Sequence, residues 1–116
     1  MKLAQIREIL QAEVICGENL LETEAICACG ADLMSDVLAF TKEKTLLLTG
    51  LTNIQVIRTA EVSDLVGIVF VRGKRPGDDV VRLAKAKGIP LFVCSLPLYE
   101  ACGLLYTNGL VGCSQR

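Results

Sequence analysis

Hydrophobic and polar positions along this chain switch repeatedly between helical spacing and short continuous apolar runs. Leu3, Ile6 and Leu10 recur at helical spacing and predict a short amphipathic helix over residues 2–11, leading into a strand at Glu13–Cys16. Gly17-Glu18-Asn19 turns the chain, and residues 24–29 predict a second strand. Beyond Gly30 and Ala31, Asp32 is placed to cap a helix carrying Leu33, Val37 and Leu38. Thr45–Thr49 is a compact buried-strand signal ended by Gly50. Thr52 or Asn53 can then cap a helix whose inner face is Val56, Ile57 and Ala60. The cycle repeats with the β-branched Gly67–Val71, followed by Arg72-Gly73-Lys74-Arg75. Pro76 stands near the start of a helix that buries Val80, Leu83 and Ala84. Leu91–Cys94 is the last strand, and Ser95 with Pro97 opens the final helix.

Strands alternating with helices imply right-handed parallel crossovers. The expected fold is therefore α/β, a single domain over residues 1–116 with a mostly parallel β-sheet flanked by helices. The first helix and Glu13–Cys16 are expected to add an antiparallel or edge element, and the pattern leaves the strand order open. Composition agrees, because 52% hydrophobic against 22% charged residues in a chain of 116 describes one globular domain and excludes a disordered tail.

Charge and residue types then remove whole classes of function. A formal charge of −1 offers no overall basic excess, and Phe40, Phe70, Phe92, Tyr99 and Tyr106 lie in apolar runs rather than among cations, so nucleic acid is not expected as a partner. The absence of histidine removes imidazole triads, histidine metal ligands and phosphohistidine relays. Arg7, Glu8 and Glu13 interrupt the opening apolar pattern, unlike a signal peptide, so the six cysteines are expected to be reduced and the location cytoplasmic. Residues 88–115 carry only Glu100 as a charge, yet Pro90, Pro97, Gly103 and Gly109 punctuate them, short of the ~20 apolar residues of a membrane span. No membrane association is expected, and another subunit is expected to cover much of this apolar end.

Ligands of open parallel sheets gather at the carboxyl ends of strands. Four such junctions exist here, at Cys29–Asp32, Thr49–Asn53, Arg72–Pro76 and Ser95–Pro97. The third is chemically richest, since Arg72, Lys74 and Arg75 flank a glycine before a helix and are suited to phosphate or to a partner's carboxylates. An ordinary solvated loop has the same composition. Glu13, Glu18, Glu22, Glu24, Asp32 and Asp36 fall in a stretch without Lys or Arg. Residues 72–87 instead hold Arg72, Lys74, Arg75, Arg82, Lys85 and Lys87 against Asp78 and Asp79. Such stretches can pair across a symmetric dimer or within one subunit.

Cys27-x-Cys29 on a strand points both thiols to one face, as a soft metal would require, but cysteine also packs as a small buried hydrophobe and no metal is expected. Cys94, Cys102 and Cys113 suit packing as well. A phosphate-binding loop is missing, because Gly67 to Gly73-Lys74 is one residue too long and Arg75 replaces the required hydroxyl; no Gly-x-Gly-x-x-Gly occurs. Asp32/Asp36 and Asp78/Asp79 are better read as helix-start electrostatics than as catalytic pairs. No cofactor or enzymatic activity is expected.

At these junctions the chain resembles the DRTGG-domain family, over nearly its whole length. The resemblance is carried by Ala28-Cys29-Gly30-Ala31-Asp32 through Leu38, Leu46-Leu47-Leu48-Thr49-Gly50-Leu51-Thr52-Asn53, Ile68–Pro76 and Gly88-Ile89-Pro90-Leu91. Leu51-Thr52 stand where the family has Asp-Arg, and Arg72-Gly73-Lys74 replace Thr-Gly-Gly, so of the name-giving residues only Gly73 remains. These departures look like a short stand-alone subgroup, similar to small proteins encoded beside iron-only hydrogenase genes in anaerobes. The resemblance implies a homodimerising regulatory or scaffolding module that binds a protein partner, in a setting of hydrogenase or redox metabolism. The alternative is a sensor holding a nucleotide or other phosphate-bearing small molecule at the strand ends. Its candidate ligand-binding residues are Thr49, Gly50, Thr52, Asn53, Arg72, Gly73, Lys74 and Arg75.

Overall fold

Five strands form one sheet in the order β1-β5-β4-β3-β2 in a computed structural model that describes residues 1–116. The strands are β1 Glu13–Cys16, β2 Cys27–Gly30, β3 Thr45–Thr49, β4 Gly67–Phe70 and β5 Leu91–Val93. The helices are α1 Leu3–Leu10, α2 Met34–Phe40, α3 Ile54–Val62, α4 Asp78–Lys87 and α5 Leu98–Thr107. β2 to β5 are parallel, whereas β1 joins β5 antiparallel with a register shift between Val14 and Cys16. The domain is thus α/β with a mostly parallel sheet, and β1 is the antiparallel edge addition.

Because β2, β3, β4 and β5 are laid down side by side in chain order, the crossovers α2, α3 and α4 all fall on one face. Val37, Val56, Ile57, Ala60, Val80 and Ala84 pack there against Leu47, Ile68, Phe70 and Leu91. On the opposite face Leu3, Ile6 and Leu10 of α1 and Ala101 and Leu105 of α5 cover Leu46, Leu48, Val69 and Phe92. β3 and β4 are therefore buried on both sides, which explains their unbroken apolar runs. Each fully buried Leu, Ile or Phe contributes about 1.5–3 kcal/mol of hydrophobic stabilisation.

Local chemistry sets the ends. Asn53 accepts a hydrogen bond from Gln55 N at 3.1 Å and caps α3. Asp78 and Asp79 occupy the first turn of α4 and Lys85 and Lys87 its last, matching the helix dipole at both ends. β2 begins at Cys27 rather than Glu24 because its partner β3 begins at Thr45, opposite Cys27. Glu24 instead bridges to Lys2.

α2 departs from the expectation. Its N-cap is Leu33, not Asp32, and no side chain caps it. Only Val37 is buried, while Leu33 and Leu38 are exposed, because α2 lies over the outermost parallel strand and has a neighbour on one side only. No helix is long and apolar enough to cross a membrane.

Candidate functional site

The loop after β4 leads to α4 on one face of the sheet, whereas the loop after the adjacent β5 leads to α5 on the other. A divergence of this kind is where an open α/β sheet forms its ligand crevice. Here the two loops close on each other. Arg72 N donates to Leu96 O at 2.9 Å and Gly73 N to Cys94 O at 2.8 Å. Both residues take left-handed backbone conformations, φ 58° and 67°. Gly73 does so freely, whereas at Arg72 the conformation costs about 1–2 kcal/mol and is held by these two bonds.

The end of β3 is organised by the carboxylate that failed to cap α2. Asp32 Oδ1 accepts from Thr49 Oγ1 at 2.9 Å and from Gly50 N at 2.7 Å. Leu51 N in turn donates to Thr49 Oγ1 at 3.2 Å. Two donors at this strand end are thus occupied by the chain's own carboxylate. Lys74 Nζ approaches the same spot, since a Cβ added at Gly50 would lie 3.6 Å from the Asp32 oxygens and 3.8 Å from that ammonium.

The candidate residues therefore fall into distinct environments. Thr49 is buried, Gly50 and Thr52 are half-buried, Asn53 is exposed as the α3 cap, and Arg72, Gly73, Lys74 and Arg75 are exposed. Arg75 is committed elsewhere: its guanidinium forms a two-point ion pair with Glu13 on β1. This is the ion pair between the acidic and basic stretches, and it lies within one subunit. It holds the Glu13 carboxyl below its usual range, against a smaller opposing effect of desolvation. Arg72 and Lys74 enter no ion pair. The four concavities of the surface are lined by other residues.

The largest concavity is a shallow groove along the outer face of α5, formed by Leu96, Tyr99, Cys102, Gly103, Leu104 and Tyr106. Tyr99 is 87% exposed and Tyr106 54%. Sequence reasoning anticipated a covered apolar end but named none of these residues as a site. The signal was there in the single charge, Glu100, of residues 88–115.

All six cysteines are free thiols. Cys27 and Cys29 share a face of β2 as expected; Cys27 is buried and Cys29 half-buried. Burial, reinforced by neighbouring thiols and Asp36, pushes Cys29 up to about 11. No group of three or more Cys, Asp or Glu side chains comes together as a metal site would require. Cys102 packs against Gly30, where a Cβ would lie 2.5 Å from its Sγ, so the glycine sets how closely α5 approaches β2.

No curated protein matches the chain in sequence. Among solved structures it is similar to the CBS and DRTGG domains of the regulatory region of Clostridium perfringens pyrophosphatase, complexed with the activator diadenosine tetraphosphate. That similarity has a TM-score of 0.71 at 16% identity and covers 90% of this chain but 45% of the other. At this identity it establishes the fold. The family model for the DRTGG domain matches residues 5–107, the whole sheet and all of the helices but the first two residues of α1, and the chain belongs to the DRTGG domain family.

Proposed function

We propose that this chain is a non-enzymatic regulatory module that pairs with a second copy of itself through the outer face of α5 and docks a protein partner. The observation that carries the reading is the exposed apolar groove on α5, with Tyr99 and Tyr106 presented to solvent. Large exposed aromatics beside Leu96 and Leu104 are the composition of an interface centre. The one charge in the groove is Glu100, so two copies can meet about a twofold axis with little like-charge repulsion. The regulatory setting is supported by the family and by the pyrophosphatase regulatory region that shares the fold. Hydrogenase or redox metabolism is the cellular context we favour, on the likeness to the stand-alone subgroup. Light scattering coupled to size exclusion tests the pairing: a dimer at micromolar concentration is expected, and a monomer throughout that range would refute it.

A second reading, a sensor of a phosphate-bearing small molecule, is favoured by one observation. Arg72 and Lys74 are exposed and enter no ion pair, and Lys74 Nζ reaches the spot beside Gly50 where Thr49 Oγ1 and Gly50 N are held by Asp32. An anionic ligand would take the place of that carboxylate, and Arg75 would stay with Glu13. The neighbouring regulatory region was crystallised with a dinucleoside polyphosphate, which makes such compounds the first probes. A ligand at about 100 times its dissociation constant stabilises the native state by about 2.7 kcal/mol. A thermal shift with diadenosine tetraphosphate or an acyl phosphate, larger in Asp32→Asn and lost in Arg72→Ala/Lys74→Ala, is expected under this reading; no shift with any of them would exclude it.

A further inference from the structure

After α5 the chain turns back across the sheet and lies along the free edge of β2. Ala28 N donates to Val111 O at 2.9 Å, forming a one-residue bridge, and Gln115 Nε2 donates to Tyr106 Oη at 2.9 Å. Arg116 reaches the backbone carbonyl of Glu43. Between these contacts Cys113 is brought against Cys27, with the two Sγ atoms 3.1 Å apart, about 1 Å more than an S–S bond. Both sulfurs also meet Thr45 Oγ1, at 3.1 Å from Cys27 and 3.5 Å from Cys113, and the Arg116 guanidinium lies 3.7 Å from Cys27 Sγ. Residues that are 86 positions apart thus bring two thiols into contact at the sheet edge.

The pair is not sealed. Cys113 and Ser114 form one wall of a surface cleft whose other sides are Ala28, Cys29, Phe40 and Lys42. Phe40 is 70% exposed and supplies an apolar floor, and Lys42 supplies a cation. The cleft therefore offers a small anionic molecule both a charge partner and a route to the Cys113 sulfur.

We propose that Cys27 and Cys113 are a thiol–disulfide exchange site whose substrate is an anionic low-molecular-weight disulfide of the glutathione class, taken up in the Phe40–Lys42 cleft. The Cys113 thiolate attacks one sulfur of that disulfide, forming a mixed disulfide and expelling one small thiolate, which takes up the proton that Cys113 lost. The Cys27 thiolate then attacks Cys113 Sγ, forming the Cys27–Cys113 bond and expelling the second small thiolate, which takes up the proton that Cys27 lost. Two electrons pass from the protein dithiol to the small disulfide, and two small thiols leave per chain. Burial raises the Cys113 thiol above its ordinary 9.0, so the reaction accelerates as pH rises through the alkaline range. The product adds a covalent tie to the backbone bridge and the Gln115 and Arg116 contacts that hold the segment after α5 over the edge of β2.

The test is incubation of the fully reduced chain with oxidised glutathione, followed by acid quenching, intact mass and peptide mapping of the blocked thiols. One internal link between Cys27 and Cys113 is expected, with no glutathione retained, and it should form in Cys29→Ser and be absent from Cys113→Ser. A glutathione adduct that persists on Cys113, a link that maps to Cys29 or Cys102, or six unreacted thiols would each overturn the proposal. The map of the unaltered chain decides the question even where a variant folds poorly.

Discussion

Arg75 and Glu13 meet in a two-point ion pair, Nη1 to Oε1 at 2.8 Å and Nη2 to Oε2 at 2.9 Å, which ties the loop after β4 to the antiparallel strand at the sheet edge. Hydrogen bonding to the guanidinium lowers the Glu13 pKa from its ordinary 4.5. A carboxylate depressed in the folded state contributes stability above its unfolded pKa and loses that contribution as pH falls through the folded value. Urea midpoints of the natural sequence should therefore fall on acidification below 4.5. In Arg75→Ala the acid limb should be shallower. Both side chains are well exposed, so the difference should be small and should shrink further in salt.

The contact of Gly30 with Cys102 predicts a reciprocal pair of substitutions. Gly30→Ala places a methyl 2.5 Å from Sγ, forcing α5 outward, and should cost about 1–3 kcal/mol in chemical denaturation. Adding Cys102→Ala removes the obstruction and should recover most of the loss. Independent, additive costs in the double variant would show that the contact does not set the α5 position.

Thr59 lies on the buried face of α3, and its Oγ1 has no hydrogen-bond partner. Replacing an orphaned hydroxyl with a methyl of nearly the same shape removes a desolvation penalty. Thr59→Val should raise stability by about 1 kcal/mol, read as a higher urea midpoint with an unchanged slope.

The α5 groove predicts that Tyr99→Arg weakens self-association by about 10-fold or more, because a central aromatic anchor is replaced by a charge facing its own copy. Sedimentation across a concentration series reads the change, and an unaltered far-UV circular dichroism spectrum shows that the fold is kept. Equal association of variant and parent would place any interface elsewhere.

What was legible in the sequence was local. Thr45–Thr49 and Glu13–Cys16 coincide with β3 and β1 because a run of apolar or β-branched residues bounded by turn formers encodes a strand within its own few residues. Asn53 was recognisable as a cap for the same reason, its acceptor being two residues from the amide it satisfies. Asp32 was misassigned to α2 because its true partners, Thr49 and Gly50, are 17 and 18 residues away and reach it only once β2 and β3 pair in register. The opposed acidic and basic stretches signalled an attraction, but only the folded chain picks Arg75 with Glu13 from the many possible pairs. Cys27 and Cys113 gave no signal at all, since their meeting depends on α5 returning the chain to β2.

The loop after β4 is fastened at Arg72 and Gly73 to the carbonyls of Leu96 and Cys94, so its shape exists before anything approaches it. A partner or ligand that lands there meets a rigid surface, and little ordering entropy remains to be lost on contact. Encounter should accordingly need no rearrangement of this loop, whatever step displaces Asp32 from Thr49 and Gly50.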